Sequence, residues 1–284
     1  LGAFRSDRDN GTPAQTNRVE GLGVAASWRD AAPRPVWSGT AWLRRSRLGS
    51  VFSAVIANRQ REIPVLAQSV PSTDLGASLL WAPDRDDGTL LSAGADARWV
   101  RGTSEETVLT AGFTREPGGT QQIAGGWAGA GFDLGGGARA ELSARADGWR
   151  NAPNDDGPAR TDTSVAPRAG SVGPATPDLI VRTAGYGGFR APTLNELYRQ
   201  FRVGNVVTAA NSELEPERSW GGEAGVVWYA GRAAAPVRIE LSAFLSRLDN
   251  AIINATVGAT GDLLLRQRRN LGAARTAGVE LAAR

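Results

Sequence analysis

"GARAELSARADGW", residues 137–149, alternates between small apolar and polar side chains over most of its length. The apolar positions are Ala138, Ala140, Leu142, Ala144 and Ala146, and the polar positions are Arg139, Glu141, Ser143, Arg145 and Asp147. Because successive side chains of a β-strand point to opposite faces, this period of two predicts a strand with one apolar and one charged face.

The same alternation recurs in segments 88–101, 219–229 and 237–247. In the last of these the apolar positions are Val237, Ile239, Leu241, Ala243 and Leu245, and Phe244 is the exception on the polar parity. Followed along the chain, the pattern predicts roughly twelve strands, several of about 12–15 residues, whereas a typical globular strand has ~5–6.

The predicted connections between these strands alternate between short and long. The short ones are 31–34, 83–88, 135–136, 173–177 and 231–236, and the long ones are about 60–71, 102–119, 151–163, 190–212 and 251–273. Tight turns at one rim and long loops at the other are typical of outer-membrane barrels. We therefore expect an all-β fold: an antiparallel, up-and-down transmembrane β-barrel.

A soluble antiparallel sheet with one wet face would also alternate. Three features favour a membrane barrel: the strands are long enough to cross a bilayer, the polar face is densely charged, and no second buried layer is apparent. Trp81, Trp99, Trp220 and Trp228 lie on the apolar parity, and three of them are near strand ends, where an aromatic girdle is expected. A soluble core filled by these tryptophans is the alternative.

The composition removes several classes of function. The 284 residues carry a formal net charge of +3 and contain no Cys, His or Met. Cys₂His₂-type zinc sites, thiol nucleophiles and Ser-His-Asp triads are therefore excluded, and we predict no enzymatic activity, no cofactor and no metal site. The arginines are dispersed rather than clustered with aromatics, which argues against nucleic-acid binding. No apolar run approaches the ~18 residues of a transmembrane helix.

One stretch departs from the alternation, FRAPTLNELY at 189–198. Pro192 restricts the residue before it to extended conformations, so a strand is predicted to end just upstream. Thr193 and Glu196 have the spacing of a capping box, which predicts one capped turn of helix. Such a turn gives the loop 190–212 a rigid start, as expected of a loop whose position matters. An ordinary helical turn in a connector is the alternative.

Three segments of the last third of the chain resemble the signature run of TonB-dependent outer-membrane receptors. They are GFRAPTLNELYRQF (188–201), NSELEPERSWGGEAGVVW (211–228) and RNLGAARTAGVELAAR (269–284). The matching positions are Phe189, Arg190, Ala191, Pro192, Glu196, Leu197, Tyr198, Asn211, Leu214, Pro216, Glu217, Asn270, Gly272, Gly278, Val279 and Glu280. The resemblance is specific over 188–284 and looser over 1–187.

The resemblance implies a 22-stranded barrel plugged by an N-terminal globular domain. Residues 1–284 are expected to be a part of that barrel with two unpaired edges, and the plug domain is expected to be absent from this chain. The resemblance also implies localisation in the bacterial cell outer membrane and uptake of a scarce ligand, such as a siderophore or cobalamin. The implied partners are the TonB complex, reached through the plug, outer-membrane lipid, lipopolysaccharide and a small-molecule ligand, and we expect a monomer.

The motif loop is the candidate site that the resemblance implies. The residues expected to contact ligand or plug are Phe189, Arg190, Pro192, Glu196, Tyr198, Asn211 and Arg202. Haem receptors of the family carry a histidine that ligates iron, so haem ligation by this histidine-free chain is disfavoured unless Tyr198 or another part of the protein substitutes.

Six arginines lie in or beside two of the long loops: Arg190, Arg199, Arg202, Arg266, Arg268 and Arg269. Guanidinium groups fit carboxylate, catecholate or phosphate ligands, which loosely favours a ferric siderophore. Two other functions remain open. One is a soluble or surface-attached β-sheet module that binds carbohydrate or mediates adhesion, and the other is a passive porin.

Overall fold

The computed structural model describes residues 1–31, 36–56, 58–83, 89–203, 205–232 and 235–284. The strands of the first half are β1 (Gly2–Asp9), β2 (Thr16–Arg29), β3 (Trp37–Ile56), β4 (Arg61–Trp81), β5 (Leu90–Thr103), β6 (Glu105–Val108), β7 (Phe113–Arg115) and β8 (Gly118–Gly135). Those of the second half are β9 (Ala138–Pro153), β10 (Arg160–Thr176), β11 (Leu179–Arg190), β12 (Phe201–Val203), β13 (Val206–Ala209), β14 (Glu217–Arg232), β15 (Ala235–Asp249), β16 (Ile252–Thr260), β17 (Leu263–Asn270) and β18 (Ala273–Ala283). One short helix, α1 (Leu194–Tyr198), completes the described elements.

Twelve strands of the described chain form one antiparallel, up-and-down path. Their order is β1-β2-β3-β4-β5-β8-β9-β10-β11-β14-β15-β18, and the two short strands β6 and β7 attach beside β4. Each strand therefore pairs with the next long strand in the sequence, as the alternation of turns and loops predicted. Within the described residues β1 and β18 end the path without pairing to each other, which confirms the expected partial barrel.

Several strands are longer than predicted. β3 has 20 residues and β4 has 21, and they pair from Trp37↔Trp81 to Ile56↔Arg61. The predicted long connection at 60–71 is therefore wrong, because those residues extend the hairpin. Pro64 is accommodated where the register shifts, and a bulge is one of the few places where a strand tolerates proline.

The connections define two rims of the sheet. On the turn rim, residues 136–137 join β8 to β9 and residues 177–178 join β10 to β11, each within two residues of the predicted turn. Gly136 and Gly137 adopt φ of +61° and +82°, a region that glycine enters without steric cost. The predicted turns at 31–34 and 83–88 lie largely outside the described residues. Of the one predicted at 231–236, the described residues belong to β14 and β15, which pair up to Arg232↔Ala235, and residues 233–234 lie outside the described residues. The opposite loop rim carries 104–117, 154–159, 191–216 and 250–272, and the first, third and fourth contain strands of their own.

Burial is inverted relative to a soluble protein. On the apolar face, Leu142 is 56% exposed, Val165 64% and Leu245 58%. On the polar face, Asp147 is 5% exposed and pairs with Arg145 at 2.5 Å. A soluble sheet would bury the first set and solvate the second. The predicted assignment of the two faces is confirmed. The burial values do not agree with the alternative of a soluble core.

Aromatic rings on both faces cover glycines of the neighbouring strand. The cross-strand pairs are Trp28–Gly39, Trp42–Gly76, Trp127–Gly94, Tyr186–Gly221 and Phe244–Gly278. A methyl group placed on Gly76 would lie 2.1 Å from the Trp42 ring. These glycines leave room for the rings, and the rings replace the packing that a glycine in a strand lacks.

The five-residue helix α1 belongs to the loop rim rather than to the sheet. Among the residues that the structure describes, no helix is both long and apolar enough to cross a membrane.

Candidate functional site

The loop 191–216 begins with the predicted capped turn. Thr193 is extended, with φ −76° and ψ 156°, and its hydroxyl accepts a hydrogen bond from the Glu196 amide at 3.2 Å. In return the Glu196 carboxylate accepts from the Thr193 amide at 2.8 Å, which completes the capping box. β11 ends at Arg190, two residues before Pro192, as the sequence predicted.

Arg190 connects this turn to the neighbouring strand. Its guanidinium donates to both Glu196 oxygens, at 2.9 and 3.2 Å, and to Glu217 at 2.5 Å. Glu217 is the cross-strand partner of Arg190 at the start of β14, and its second oxygen accepts from the Ile252 amide at 2.7 Å. Burial raises the pKa of Glu196, but the hydrogen bonds from Arg190 and Thr193 outweigh it and hold the pKa below its ordinary value.

Four apolar side chains of the loop 191–216 are buried. Leu197 and Leu214 are 1% and 0% exposed, and Pro192 and Pro216 are fully buried as well. Gln121 of β8 donates to the Pro192 carbonyl at 2.7 Å. Since Gln121 has the polar-face parity of β8, α1 covers the polar face of the sheet near the loop rim.

The loops 191–216 and 250–272 share a second sheet. Its order is β12-β13-β17-β16, and β13 pairs with β17 in parallel, from Val206↔Leu264 to Ala209↔Gln267. Asn211 donates to the Arg268 carbonyl at 2.9 Å. The predicted long loops at 190–212 and 251–273 are therefore one structural unit, not two independent connectors.

Asn270 makes a second link between these loops. Its side-chain amide donates to the Glu215 carbonyl at 2.9 Å and accepts from the Glu215 amide at 2.9 Å. It also donates to the Asn250 carbonyl at 2.8 Å. The amide of the half-buried Asn270 thus bonds backbone groups of both loops, in the way a strand partner would.

Glu106, which sequence reasoning did not single out, ties the loop 104–117 to α1. It is 0% exposed. Arg115 approaches it at 2.6 Å and Arg199 at 3.2 Å. Gln68 and Ser104 add hydrogen bonds at 3.0 and 2.8 Å. Four donors around one buried carboxylate satisfy the condition under which a buried charge is tolerated.

A cavity of about 820 Å³ lies between α1, the loop 104–117, the middle of β4 and the ends of β5, β8 and β9 at the loop rim. Its charged lining residues are Arg101, Glu105, Glu116 and Asp155, so three carboxylates face one guanidinium, a formal charge of −2. Leu197 and Tyr198 of α1 form part of its wall. Within the described residues, the structure gives no ion pair to Glu105, Glu116 or Asp155.

Tyr198 is half-buried in this wall. Burial raises the pKa of its hydroxyl and Asp155 raises it further, while Arg160 opposes them. The hydroxyl is protonated at neutral pH and can both donate and accept a hydrogen bond. No group of three or more Asp and Glu side chains is arranged to hold a metal ion in the part of the chain that the structure describes.

The candidate residues from the sequence divide into three groups. Arg190, Pro192, Glu196 and Asn211 lie together in the hydrogen-bonded unit that holds α1. Tyr198 faces the cavity instead. Phe189 is half-buried on β11, and Arg202 is exposed on β12 opposite Val207; neither lines the cavity.

Three of the six arginines expected to bind an anionic ligand bind groups of the protein itself. Arg190 and Arg199 form ion pairs with Glu196, Glu217 and Glu106, and Arg268 donates to backbone carbonyls. The argument from these three side chains for a ferric siderophore is therefore not supported. No sequence signal marked Glu106, and none indicated that Arg268 binds backbone carbonyls, because the partners of both residues come from distant segments.

A family model described as "TonB dependent receptor-like, beta-barrel" matches residues 3–284. The chain is similar to the hemophore receptor HasR of Serratia marcescens, with a TM-score of 0.75 and 13% identity over 99% of this chain and 48% of that one. It is also similar to the siderophore receptor PirA of Pseudomonas aeruginosa, with a TM-score of 0.68 and 18% identity over 94% of this chain and 47% of that one. Its similarity to the FrpB iron transporter of Neisseria meningitidis has a TM-score of 0.64 and 15% identity over 95% of this chain and 41% of that one. A search of curated proteins gave no match.

At these identities the structural similarity is a similarity of fold. The chain spans less than half the length of each of the three solved chains, at 48%, 47% and 41%.

Proposed function

The chain belongs to the β-barrel family of TonB-dependent receptors, and from that premise we propose that it forms part of the wall of an outer-membrane receptor that takes up a scarce ligand with TonB-coupled energy. Barrels of this family are bacterial outer-membrane proteins, and their members are transport receptors rather than enzymes. The domain organisation we propose places residues 1–284 in the barrel and the plug in another part of the protein.

The inverted burial of the two faces is the observation that carries this proposal. Leu142, Val165 and Leu245 are more than half exposed on one face, and Asp147 is buried in ion pairs on the other. Hydrocarbon around a barrel stabilises the exposed apolar side chains, and a polar lumen accommodates the buried ion pairs. The apolar face would contact lipid and lipopolysaccharide, and we propose a monomer.

The cavity beside α1 is the proposed ligand site. Its volume of about 820 Å³ lies within the usual range of small-molecule sites, ~300–1,000 Å³. Three carboxylates and the Tyr198 ring would favour ligand groups that donate hydrogen bonds or carry positive charge. The ligand class we propose is a siderophore, a cobalamin or a similar complex whose surface presents such groups here.

Two measurements test the proposal. The full-length protein should fractionate with outer membranes and resist carbonate extraction, whereas recovery in the soluble periplasmic fraction would contradict the barrel. Uptake of radiolabelled ferric siderophores of several classes and of cobalamin should then be compared in cells with and without TonB. Uptake that depends on TonB supports a receptor, and uptake that is independent of TonB would indicate a passive porin.

The cavity is tested by neutralising its carboxylates. Glu105→Gln with Asp155→Asn should weaken binding of the transported probe, because both charges line the cavity. Glu141→Gln is the matched control, since Glu141 is exposed near the turn rim and pairs with Arg168 at 3.8 Å. Equal binding by the cavity variant and the control would place the ligand elsewhere.

A further inference from the structure

The helix α1 receives few hydrogen bonds at its end from its own loop. It has no basic residue in its last turn, the amide of its C-cap residue, Arg199, bonds the Asn195 carbonyl at 3.3 Å, and the Asn211 amide bonds the Glu196 carbonyl at 3.4 Å. The last carbonyls of any helix lack intrahelical partners and need donors from elsewhere. The remaining donors come from the other loop.

Arg268 of β17 supplies them. Its Nη1 atom donates to the Arg199 carbonyl at 2.8 Å and to the Asn195 carbonyl at 2.9 Å, with Glu196 farther at 3.5 Å. The side chain is 6% exposed, and its guanidinium carbon lies 4.9 Å from the centre of the Phe201 ring. A buried cation that binds backbone carbonyls and an aromatic face is fixed in one conformation.

We propose that Arg268 is a positioning residue: from the loop 250–272 it sets the place of α1, and with it the Leu197 and Tyr198 wall of the cavity. Arg268 does not line the cavity itself. It acts through α1, because its guanidinium holds the end of the helix that carries Tyr198. We call the hairpin β16–β17 the strut, because it holds α1 through Arg268. A change in the position of this hairpin would be transmitted to the cavity.

The parallel pairing of β13 with β17 supports this role independently. It fixes β17 relative to the loop that contains α1, and the Asn211 bond to the Arg268 carbonyl at 2.9 Å holds the backbone of Arg268 itself. The strut is therefore anchored on both sides. That the cavity binds ligand rests on the proposed function; the positioning of α1 does not.

Amide hydrogen exchange on the full-length protein in detergent tests the strut without any ligand. The reporters are the amides of Leu197 and Arg199, which bond Thr193 at 3.0 Å and Asn195 at 3.3 Å. Arg268→Ala should accelerate their exchange about tenfold or more, since hydrogen bonds from a charged donor are among the strong ones. Arg269→Ala is the control, because Arg269 is exposed and its side chain bonds Gln267.

Arg268→Lys should give intermediate exchange, since a lysine keeps the charge but not the planar donor geometry. It decides the question if Arg268→Ala does not fold. Unchanged exchange at the two α1 amides in either folded variant would overturn the proposal. Equal acceleration at the β14–β15 amides would also overturn it, because the effect would then be general destabilisation. Because no ligand is used, the result stands whether or not the protein proves to be a receptor.

Discussion

Leu241 on β15 lies directly opposite Leu281 on β18, and the two side chains are 43% and 72% exposed. Two leucines paired across a sheet would be core residues in a soluble protein. Here they lie on the same face as Val279 and Leu245, which are also exposed. A sheet that presents such a face is stabilised by hydrocarbon around it.

Ala243→Leu should be neutral or mildly stabilising. Ala243 lies between Leu241 and Leu245 on the apolar face, where an added side chain meets lipid instead of a packed neighbour. In a packed soluble core the same change would cost about 1–3 kcal/mol. Folding titrations of the full-length protein into lipid vesicles measure the difference, and Leu241→Arg, expected to cost about 2–4 kcal/mol near the bilayer midplane, is the positive control. A clear loss of stability in Ala243→Leu would count against the membrane barrel.

Gly76→Ala should destabilise the barrel by about 1–3 kcal/mol, because the new methyl group overlaps a fixed ring. The overlap is with Trp42, whose nearest atom would lie 2.1 Å from the methyl carbon. Gly148→Ala is the matched control on another strand, since nothing lies within 4 Å of its added methyl group. That variant should be neutral or slightly stabilising, because alanine restricts the unfolded chain. The same vesicle titrations apply, and equal stabilities of the two variants would contradict the role of the ring.

Glu196 should make the stability of α1 depend on pH. Its pKa is below the ordinary value of 4.5, so the folded state binds fewer protons than the unfolded state as the pH falls. The contribution is complete above about pH 5 and is lost as the pH drops through the lowered pKa. Exchange at the Leu197 amide, corrected for its intrinsic pH dependence, should report this loss. Glu196→Gln removes the titrating group and should remove the pH dependence in this range, whereas an unchanged profile would assign it to another group.

The two rims should lie on opposite sides of the outer membrane. Because β11 and β15 run in the same direction, the loops 191–216 and 250–272 are expected together on the extracellular side. Ala259→Cys, at an exposed position of β16, should react with an impermeant maleimide on intact cells, and the absence of native cysteine removes background. Asp178→Cys, in the turn between β10 and β11, should react only after the membrane is breached. The reverse labelling pattern would invert this topology.

Much of the fold could be predicted from the sequence because its signals are local. The alternation around Leu142 predicted both the strand and the face it presents, and Thr193 with Glu196 predicted α1. The error at 60–71 has a local cause as well, since Pro64 and Pro71 resemble loop residues until the bulge and the pairing with β3 are known.

For the candidate site, the structure adds roles that the sequence did not indicate. Arg190, Pro192, Glu196 and Asn211 were expected to contact ligand or plug, which stays a prediction, and the structure places them in the hydrogen-bonded support of α1. Tyr198 alone of the predicted set lines the cavity. A motif indicates that certain residues occur together, but it does not distinguish residues that would bind a ligand from residues that hold a loop in place.

The sequence by itself determined the period of two, the capped turn and the alternation of turns with loops, because each depends on residues within a few positions of one another. Only the tertiary structure decided that Arg199 pairs with Glu106, 93 residues away, and that Arg268 holds the carbonyl of Asn195, 73 residues away. Those contacts exist because neighbouring hairpins bring their loops together at one rim. No local pattern encodes which buried charge will meet which backbone group there.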